Sequence, residues 1–258
     1  DNIVESKSIG DAYQSTGVEY LKQFGYLSES NGGQAQAAQD ITHSIKAFQK
    51  FAGLNVTGKF DEETVKKMKA PRCGDKDPLL EEKRRRRYLL EGSIWKKKDL
   101  TYRIVNDPYS GPTNRHIMTP ELISKTVKAA LQKWSFAADL TFTELKEGEA
   151  DIMIQFSSGE HGDKYKFDGR GKALAHAFYP NQNKGFAGDA HFDLDEKFSL
   201  TEEESTNFIW VTTHEFGHSL GLKHSRDVEA IMYPWYTTGK MGDVKLRKDD
   251  KRGIRHLY

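Results

Sequence analysis

The chain has 258 residues, with 39 lysines and arginines against 38 aspartates and glutamates, so its formal net charge is +1. This balance argues against a nucleic-acid binder, which would usually be strongly basic. No apolar run is long enough to span a membrane. The single cysteine, Cys73, excludes an intrachain disulfide. The length is that of about two domains. Six of the nine histidines fall between His161 and His224, which is a first indication of metal chemistry.

The first 70 residues are predicted to form three short helices. Apolar residues recur at helical spacing in three segments, of which the second stops at Gly53 and the third begins at Asp61 and ends before Pro71. Such a bundle has a marginal core. Residues 74–99 are rich in charge and turn residues, include the run Lys83–Arg87, and predict an exposed linker.

From Leu100 the pattern becomes mixed. The predicted strands are Leu100–Val105, Leu140–Leu145, Asp151–Phe156 and Ala173–Tyr179. The predicted helices are residues 119–136, which start with proline at the first helical position, then Thr206–Leu222 and Arg247–Leu257. The chain is therefore predicted to be an α+β protein with a small helical part in front.

One predicted helix has the spacing of a zinc site. His214 and His218 are four residues apart, so both imidazoles project from one face of the helix. Gly221 lets the chain leave the helix in a left-handed turn, which brings His224 round as a third ligand and leaves one position for water. Glu215 is placed to act on that water as a general base. Incidental surface histidines are the alternative, but a chance match to five specified positions is very improbable.

Met232 follows in Ala230-Ile231-Met232-Tyr233-Pro234. A third-histidine extension followed by such a turn resembles the metzincin clan and, within it, the matrix metalloproteinase (matrixin) family. The resemblance covers about residue 12 to Tyr258. It implies a zinc endopeptidase domain with a twisted, mostly parallel five-stranded sheet and three helices, in which Met232 lies as an apolar floor under the zinc.

Four further residues form a second cluster, His161, Asp163, His176 and His191. Three imidazoles and a carboxylate are enough for a closed tetrahedral zinc. Scattered histidines alone are more often surface residues. However, all four positions match the structural zinc motif of the matrixins, so the resemblance implies one structural zinc beside the catalytic one.

The resemblance also implies two calcium sites in which carboxylates alternate with backbone carbonyls. The first would use Asp168, Gly169, Gly171, Asp193 and Glu196, and the second Asp151, Gly185, Ala187 and Asp189. Leu194 stands where many relatives have another acidic ligand, which argues against a third site.

The segment Pro71-Arg72-Cys73-Gly74 resembles the matrixin cysteine switch. A thiolate is a strong zinc ligand and can take the position that water needs. Cys73 is thus expected to keep the enzyme latent. Asp75 and Lys76 replace the apolar residue and proline that are usual in the family, so the segment is less pre-ordered.

The basic run from Arg84 to Arg87 fits a furin-type convertase site. Cleavage before Tyr88 would release residues 1–87 as an inhibitory prodomain and leave residues 88–258 as the protease. The resemblance implies that the new ammonium of Tyr88 pairs with Asp249. A solvated face, an anion patch or a nuclear signal are alternatives for such a run.

The helical prefix, with Ile45–Leu54 and Gly58–Asp61, resembles the matrixin prodomain and also peptidoglycan-binding modules. Cell-wall binding is therefore an alternative for this part alone. Asn55-Val56-Thr57 is a sequon for N-linked glycosylation, which alone is weak evidence of modification.

In the family, an extended substrate pairs with the edge strand that corresponds to residues 173–178. Contacts to substrate are expected from Leu174, Ala175, Trp210, Pro234 and Tyr236. Trp210 lies one helical turn before His214 and is expected to make the pocket after the scissile bond (P1′) shallow. A core tryptophan that faces away is the alternative.

Taken together, the sequence predicts a secreted, monomeric zymogen, anchored to a membrane if the native chain extends beyond Tyr258. Extracellular matrix proteins are the expected substrates, and a convertase and protein inhibitors of matrixins are the expected partners. A catalytically silent zinc protein that binds matrix or cell wall is the alternative, but the intact Glu215 favours an enzyme. An intracellular zinc hydrolase conflicts with the convertase site and the calcium-type loops.

Overall fold

The computed structural model describes residues 15–28, 34–78, 93–106, 118–180, 185–201, 205–236 and 244–258. The predicted processing residues Arg84, Arg87 and Tyr88 lie outside these ranges. Contacts between residues divide the chain into two compact units. The helical unit contains Asp1–Ala70 and Asp75–Arg86, and the sheet unit contains Pro71–Gly74 and Arg87–Tyr258.

The helical unit contains residues 15–23 (α1), Gln34–Ala52 (α2) and Glu62–Met68 (α3). Aromatic rings form its centre, where Tyr20 and Tyr26 both meet the buried Phe48 edge to face at 5.4 and 5.5 Å between ring centroids. Each such pair adds about 0.5–1.5 kcal/mol to the burial of apolar surface. Asp61 caps α3 by accepting a hydrogen bond from the Thr64 amide at 2.9 Å, so the prediction of three helices is confirmed.

The sheet unit is built around five strands in the spatial order β2-β1-β3-β5-β4. These strands are Asp99–Ile104 (β1), Thr141–Glu144 (β2), Ile152–Ser157 (β3), Ala175–Ala177 (β4) and Ala190–Asp193 (β5). Strands β2, β1, β3 and β5 are parallel, and β4 runs antiparallel to β5 at the edge. The predicted mostly parallel five-stranded sheet is confirmed. Phe198–Ser199 (β6) and Thr206–Asn207 (β7) form a separate short parallel pair.

Three helices accompany the sheet, namely Pro120–Ala137 (α4), Phe208–Ser219 (α5) and Lys248–Leu257 (α6). Thr119 caps α4 through its side chain, and Pro120 occupies the first turn as predicted. Trp134 of α4 is fully buried and donates its indole N–H to the Thr213 carbonyl at 2.9 Å. This bond fixes α4 against α5, the helix that carries the zinc motif. None of the described helices has the length and apolar character needed to cross a membrane.

The structure corrects several predicted boundaries. Strand β5 was not expected, because all four of its residues are buried and no alternation marks it. The strand predicted to run to Tyr179 is only three residues long, since Phe178 donates to the Asp189 carbonyl but accepts from the Gly188 amide, and regular pairing ends where two residues face one. Thr206 pairs in β7 rather than starting α5, because Asn207 caps that helix. Gly221 lies beyond α5, with the positive φ of +102° that its predicted turn requires.

Candidate metal centres and catalytic site

Helix α5 and the turn after it bring the three predicted zinc ligands together. The ring centroids of His214 and His218 are 4.9 Å apart, and His224 lies 5.3 Å from the first and 4.7 Å from the second. All three side chains are fully buried. The helical spacing of four residues supplies the first pair, and the turn at Gly221 supplies the third member.

The hydrogen bonds of two of these rings fix their protonation. His214 Nδ1 lies 2.6 Å from the Ile231 carbonyl, and His218 Nδ1 lies 2.7 Å from the Leu222 carbonyl. Because a carbonyl only accepts, each Nδ1 carries the proton and each Nε2 presents a lone pair. Burial, followed by the neighbouring imidazoles, lowers the pKa of His218 well below its usual value, so this ring is neutral.

The two Nε2 atoms of His214 and His218 are 3.2 Å apart. Two lone pairs at this distance repel each other unless a cation lies between them. Neutral imidazoles that converge in this way are the donor set that zinc prefers. The residues present therefore fit a catalytic zinc held by His214, His218 and His224.

Met232, the predicted apolar floor of this cluster, lies against helix α5. It is buried, and a Cβ added to Gly217, between the two histidines of α5, would collide with the Met232 sulfur. The amides of Ile231 and Met232 donate to the carboxylate of Asp250 at 3.0 and 3.1 Å. Burial raises the pKa of Asp250 to about 6 despite these donors. Sequence reasoning missed Asp250, since a buried acid next to another acid has no distinctive pattern.

Asp249, the residue before it, was expected to pair with the ammonium of Tyr88. Its carboxylate is buried and accepts a hydrogen bond from the Ser225 hydroxyl at 2.6 Å. Tyr88 lies outside the described residues, so the predicted pair stays a prediction.

The segment Pro71–Gly74 lies extended in the sheet unit between two walls. On one side Arg72 and Gly74 exchange backbone hydrogen bonds with residues 172–175, including Leu174 N to Arg72 O at 2.9 Å and Gly74 N to Ala175 O at 2.7 Å. On the other side Cys73 N donates to Pro234 O and Tyr236 N donates to Pro71 O, both at 2.9 Å. Four predicted substrate contacts, Leu174, Ala175, Pro234 and Tyr236, thus line one groove.

This groove places Cys73 at the metal cluster. Its sulfur lies 3.6 Å from Glu215 Oε2 and 3.6 Å from His218 Nε2. The sulfur and one nitrogen of each of the three histidines all lie within 4.8 Å of one another. The predicted fourth donor and the predicted general base therefore face the same point.

The Arg72 side chain stabilises the extended segment Pro71–Gly74 through two contacts. It is fully buried, donates its Nε–H to the Cys73 carbonyl at 3.0 Å, and places its guanidinium 4.7 Å from the ring centre of Trp235. Burial of a charge is costly unless such partners offset it. The sequence suggests that Arg72 pairs with Asp77 to hold the segment across the cleft, and this pair stays a prediction. The burial of Arg72 was not expected, because arginine is usually exposed.

Two aromatic side chains flank the histidines of α5. Trp210 stacks on His214 at 5.3 Å between ring centroids and meets Tyr236 at 5.4 Å, so it lies between the metal cluster and the predicted pocket wall. Tyr179 meets His218 edge to face at 5.5 Å. The sequence gave no signal for Tyr179, because its contact depends on how the end of β4 approaches α5.

The second predicted zinc cluster is also assembled. Asp163 Oδ2 lies 2.7 Å from His191 Nδ1, 2.9 Å from His176 Nε2 and 3.0 Å from His161 Nε2, and all four side chains are at most 3% exposed. Burial, followed by the charge of His176, lowers the pKa of His191 to about 4. Burial would raise the pKa of Asp163, but its hydrogen bond and ion pair with His176 lower it instead. Three imidazoles around a carboxylate fit a tetrahedral zinc.

The first predicted calcium loop brings three carboxylates together. Asp193 and Glu196 are buried, and one Asp193 oxygen has no hydrogen-bond donor among the described residues. Burial, with repulsion from Asp193 and Asp168 as a smaller cause, raises the pKa of Glu196 to about 7. Gly169 and Gly171 adopt positive φ, and the Gly171 amide donates to Glu196. A cation would offset this concentration of negative charge.

The second predicted calcium loop differs from expectation. The Asp151 carboxylate pairs with Lys97 at 2.7 Å and accepts two bonds from Thr101, so its side chain is committed elsewhere. The backbone oxygen of Asp151 instead faces the 185–189 loop, 3.0 Å from where a Gly188 Cβ would lie. Burial raises the pKa of Asp189 to about 7. Gly185 and Ala187 lie in this same loop, before β5.

Comparison with known proteins identifies the same two parts of the chain. Residues 94–258 match the matrixin family model, and residues 15–68 match a model described as a peptidoglycan binding domain. The chain is 44% identical to interstitial collagenase of Bos taurus over 250 residues, which cover 93% of this chain and 48% of that protein. It is 40% identical to matrix metalloproteinase-25 of Homo sapiens over 257 residues, 95% of this chain and 44% of the relative.

Matrilysin of Homo sapiens is 41% identical over 242 residues, which cover 93% of this chain and 83% of matrilysin. The chain thus spans about half the length of the bovine collagenase and most of the length of matrilysin. The residues that match the matrixin model include both histidine clusters described above. The chain belongs to the matrixin family of zinc metalloendopeptidases.

Proposed function

We propose that this chain is the latent form of a secreted zinc endopeptidase that cleaves extracellular proteins. The observation that carries the proposal is the position of the Cys73 sulfur, 3.6 Å from both the base Glu215 and the ligand His218. A thiol at this point competes with water for the metal and for the base. The same groove that holds Cys73 has the backbone groups that an extended peptide needs.

Each catalytic role falls to a residue of this chain. Zinc held by His214, His218 and His224 would polarise the scissile carbonyl and lower the pKa of a water molecule. Glu215, which is 1% exposed, takes a proton from the attacking water and passes it to the leaving amine.

The backbone of the groove positions the peptide. Leu174 N and Ala175 O on one wall, with Pro234 O and Tyr236 N on the other, offer donors and acceptors to an extended chain. Trp210, stacked on His214, limits the depth of the P1′ pocket. In the latent form Pro71–Gly74 uses these same groups, so the segment excludes both water and substrate.

Activation separates the cysteine from the metal. We expect a furin-type convertase to cut after Arg87, so that residues 1–87 leave as the prodomain and residues 88–258 remain as the protease. The new ammonium of Tyr88 then competes with the Ser225 hydroxyl for Asp249. Asp75 and Lys76, which lack the proline of the family, make the release easier.

Further metal ions stabilise the sheet unit. One structural zinc is held by His161, Asp163, His176 and His191 and ties the 161–191 region to β4 and β5. One calcium binds among Asp168, Asp193 and Glu196 with carbonyls of Gly169 and Gly171. A second calcium binds the 185–189 loop through Asp189 and the backbone oxygen of Asp151 rather than its carboxylate.

The relatives indicate the setting in which this chemistry is used. Interstitial collagenase is among them, so extracellular matrix proteins are the proposed substrates and protein inhibitors of matrixins the proposed partners. We expect the chain to act outside the cell as a monomer.

One experiment tests the enzyme. The full chain is treated with furin and assayed on a quenched collagen-like peptide, with and without a zinc chelator. We expect no hydrolysis before treatment, hydrolysis after it, and loss of hydrolysis with chelator. A cleaved, zinc-loaded chain that remains inert would favour the silent zinc protein, and activity that survives the chelator would contradict the mechanism.

A second function is favoured for the helical unit by its match to a peptidoglycan binding domain over residues 15–68. Sedimentation of the full chain with insoluble peptidoglycan tests this function. Binding that free peptidoglycan fragments compete away would support cell-wall recognition, and a chain that stays in the supernatant would leave latency as the role of this unit.

A further inference from the structure

We propose that Asn55 carries an N-linked oligosaccharide, which makes the helical unit a glycosylated segment. Asn55-Val56-Thr57 is the only Asn-X-Ser/Thr sequence among the 258 residues. The inference rests on the proposed passage of the chain through a secretory compartment, where such sequons are modified. It concerns a surface turn that has no part in metal binding or catalysis.

The backbone presents Asn55 to solvent. Helix α2 ends at Ala52, Gly53 adopts a φ of +74°, and the Thr57 amide bonds back to the Asn55 carbonyl at 3.1 Å. Asn55, Val56 and Thr57 are all exposed, and Val56 retains 53% of its accessible surface. The side chain of Asn55 makes no hydrogen bond to the described part of the chain. A bulky glycan here therefore displaces no packing.

Thr57, the third residue of the sequon, differs from Asn55 because its side chain is hydrogen-bonded. The Thr57 hydroxyl donates to Asp61 Oδ2 at 2.5 Å and accepts from Gln49 Nε2 at 2.8 Å. Gln49 is fully buried and also accepts from the Gly58 amide at 2.9 Å. Folding thus commits the hydroxyl that identifies the sequon to a network under the turn. We expect the oligosaccharide to be transferred before this turn closes, while the chain is still being made.

The transfer needs a lipid-linked oligosaccharide pyrophosphate as donor. A bond forms between Asn55 Nδ2 and the anomeric carbon of the first sugar, and the bond from that carbon to the pyrophosphate oxygen breaks. The lipid pyrophosphate leaves with its electron pair, and the amide gives up one proton. The product is an N-glycosylated Asn55 with no change in oxidation state.

The position gives the glycan a limited lifetime on the enzyme. Residues 88–258 contain no sequon, so cleavage after Arg87 would remove the oligosaccharide together with the prodomain. The precursor is therefore marked for lectin-type recognition during folding, whereas residues 88–258 carry no such mark. The two fragments would differ in glycan content after a single cut.

The test expresses the full chain behind a cleavable signal peptide in a eukaryotic cell line. Intact masses are measured in the medium and in the cell-retained fraction, before and after treatment with a peptide N-glycosidase. We expect the wild type to lose the mass of one oligosaccharide. Asn55→Gln and Thr57→Ala should show no such loss, whereas Thr57→Ser, which keeps a hydroxyl, should retain the glycan.

These variants separate glycosylation from folding. Asn55→Gln removes the glycan but leaves the Gln49–Thr57–Asp61 hydrogen-bond network intact, so its secreted yield reports the effect of the glycan alone. Thr57→Ala removes both the glycan and the hydroxyl at the centre of that network. An unmodified Asn55 in both fractions overturns the inference and leaves the proposed protease untouched. A glycosylated chain that fails the peptide assay after furin overturns the proposed function and leaves the inference standing.

Discussion

Two clusters in the sheet unit each contain three buried histidines, but their fourth donors come from different parts of the chain. Around Asp163 the fourth donor belongs to the same loop as His161, two residues away. Around His214, His218 and His224 the fourth donor is Cys73, from a distant segment that precedes the predicted cut. Histidines therefore do not distinguish a structural from a catalytic centre here. The distinction lies in whether the fourth ligand can leave without unfolding the site.

The largest expected effect concerns Glu215, the proposed general base beside His214, His218 and His224. Glu215→Ala should lower kcat/KM of the furin-treated chain by about 10²–10⁴-fold, because no base remains for the attacking water. Zinc content should stay equal to that of wild type, since Glu215 is not a ligand. Glu229→Ala, which changes an exposed acid, is the matched control. Wild-type activity in Glu215→Ala would break the distinction between the two centres.

Loss of a ligand from the cluster around Asp163 should lower the stability of the chain rather than its peptidase activity. His176→Ala removes one of four ligands, so the chain should lose one zinc and several kcal/mol of stability, on the order expected for structural zinc sites. Metal analysis and thermal denaturation measure both effects. His43→Ala, at an exposed position of α2, should change neither. If the metal content of His176→Ala equalled that of wild type, the cluster would not be the structural site.

Cys73, which we expect to leave with the prodomain, should control latency. In Cys73→Ser the hydroxyl is a much weaker ligand than a thiolate, so the uncut chain should gain at least about tenfold in peptide hydrolysis, or ~1.4 kcal/mol. The assay compares uncut and furin-treated chains at equal concentration. Adding Glu215→Ala to the variant should abolish the gain. A Cys73→Ser chain as silent as wild type before cutting would show that the segment inhibits by filling the groove alone.

The smallest expected effect concerns Trp210 and the P1′ pocket beside His214. Trp210→Leu should enlarge the P1′ pocket and shift the preference toward larger side chains by about tenfold, the range of one pocket-filling change. Profiling a peptide library with the furin-treated chain measures this shift. Phe136→Leu, at a residue that is 80% exposed on α4, is the control. An unchanged P1′ preference in Trp210→Leu would argue that this side chain only supports His214.

The sequence predicted the parts of the fold and site that local spacing determines. Helix α5 with His214 and His218 follows from a four-residue interval, and the caps at Asp61 and Thr119 follow from their side chains. The second cluster required the resemblance, because Asp163 and His191 meet only through tertiary structure.

What the sequence did not predict depends on contacts between distant segments. Strand β5 is too short and too fully buried to show alternation, and the burial of Arg72 depends on Trp235, far along the chain. Trp95 donates its indole N–H to the Ser219 carbonyl at 2.8 Å, a contact between the start of the sheet unit and the end of α5. Such contacts have no sequence period, so only the folded chain reveals them.

The cation–π contact between Arg72 and Trp235 has an optical consequence. The guanidinium lies 4.7 Å from the ring centre, and the tryptophan is 2% exposed. Departure of the prodomain would take the cation away and admit solvent to the indole, both of which alter its fluorescence. Trp235 therefore acts as an intrinsic reporter, and a Trp235→Phe chain gives the background emission of the other three tryptophans. Release of the switch could then be followed in real time without any substrate.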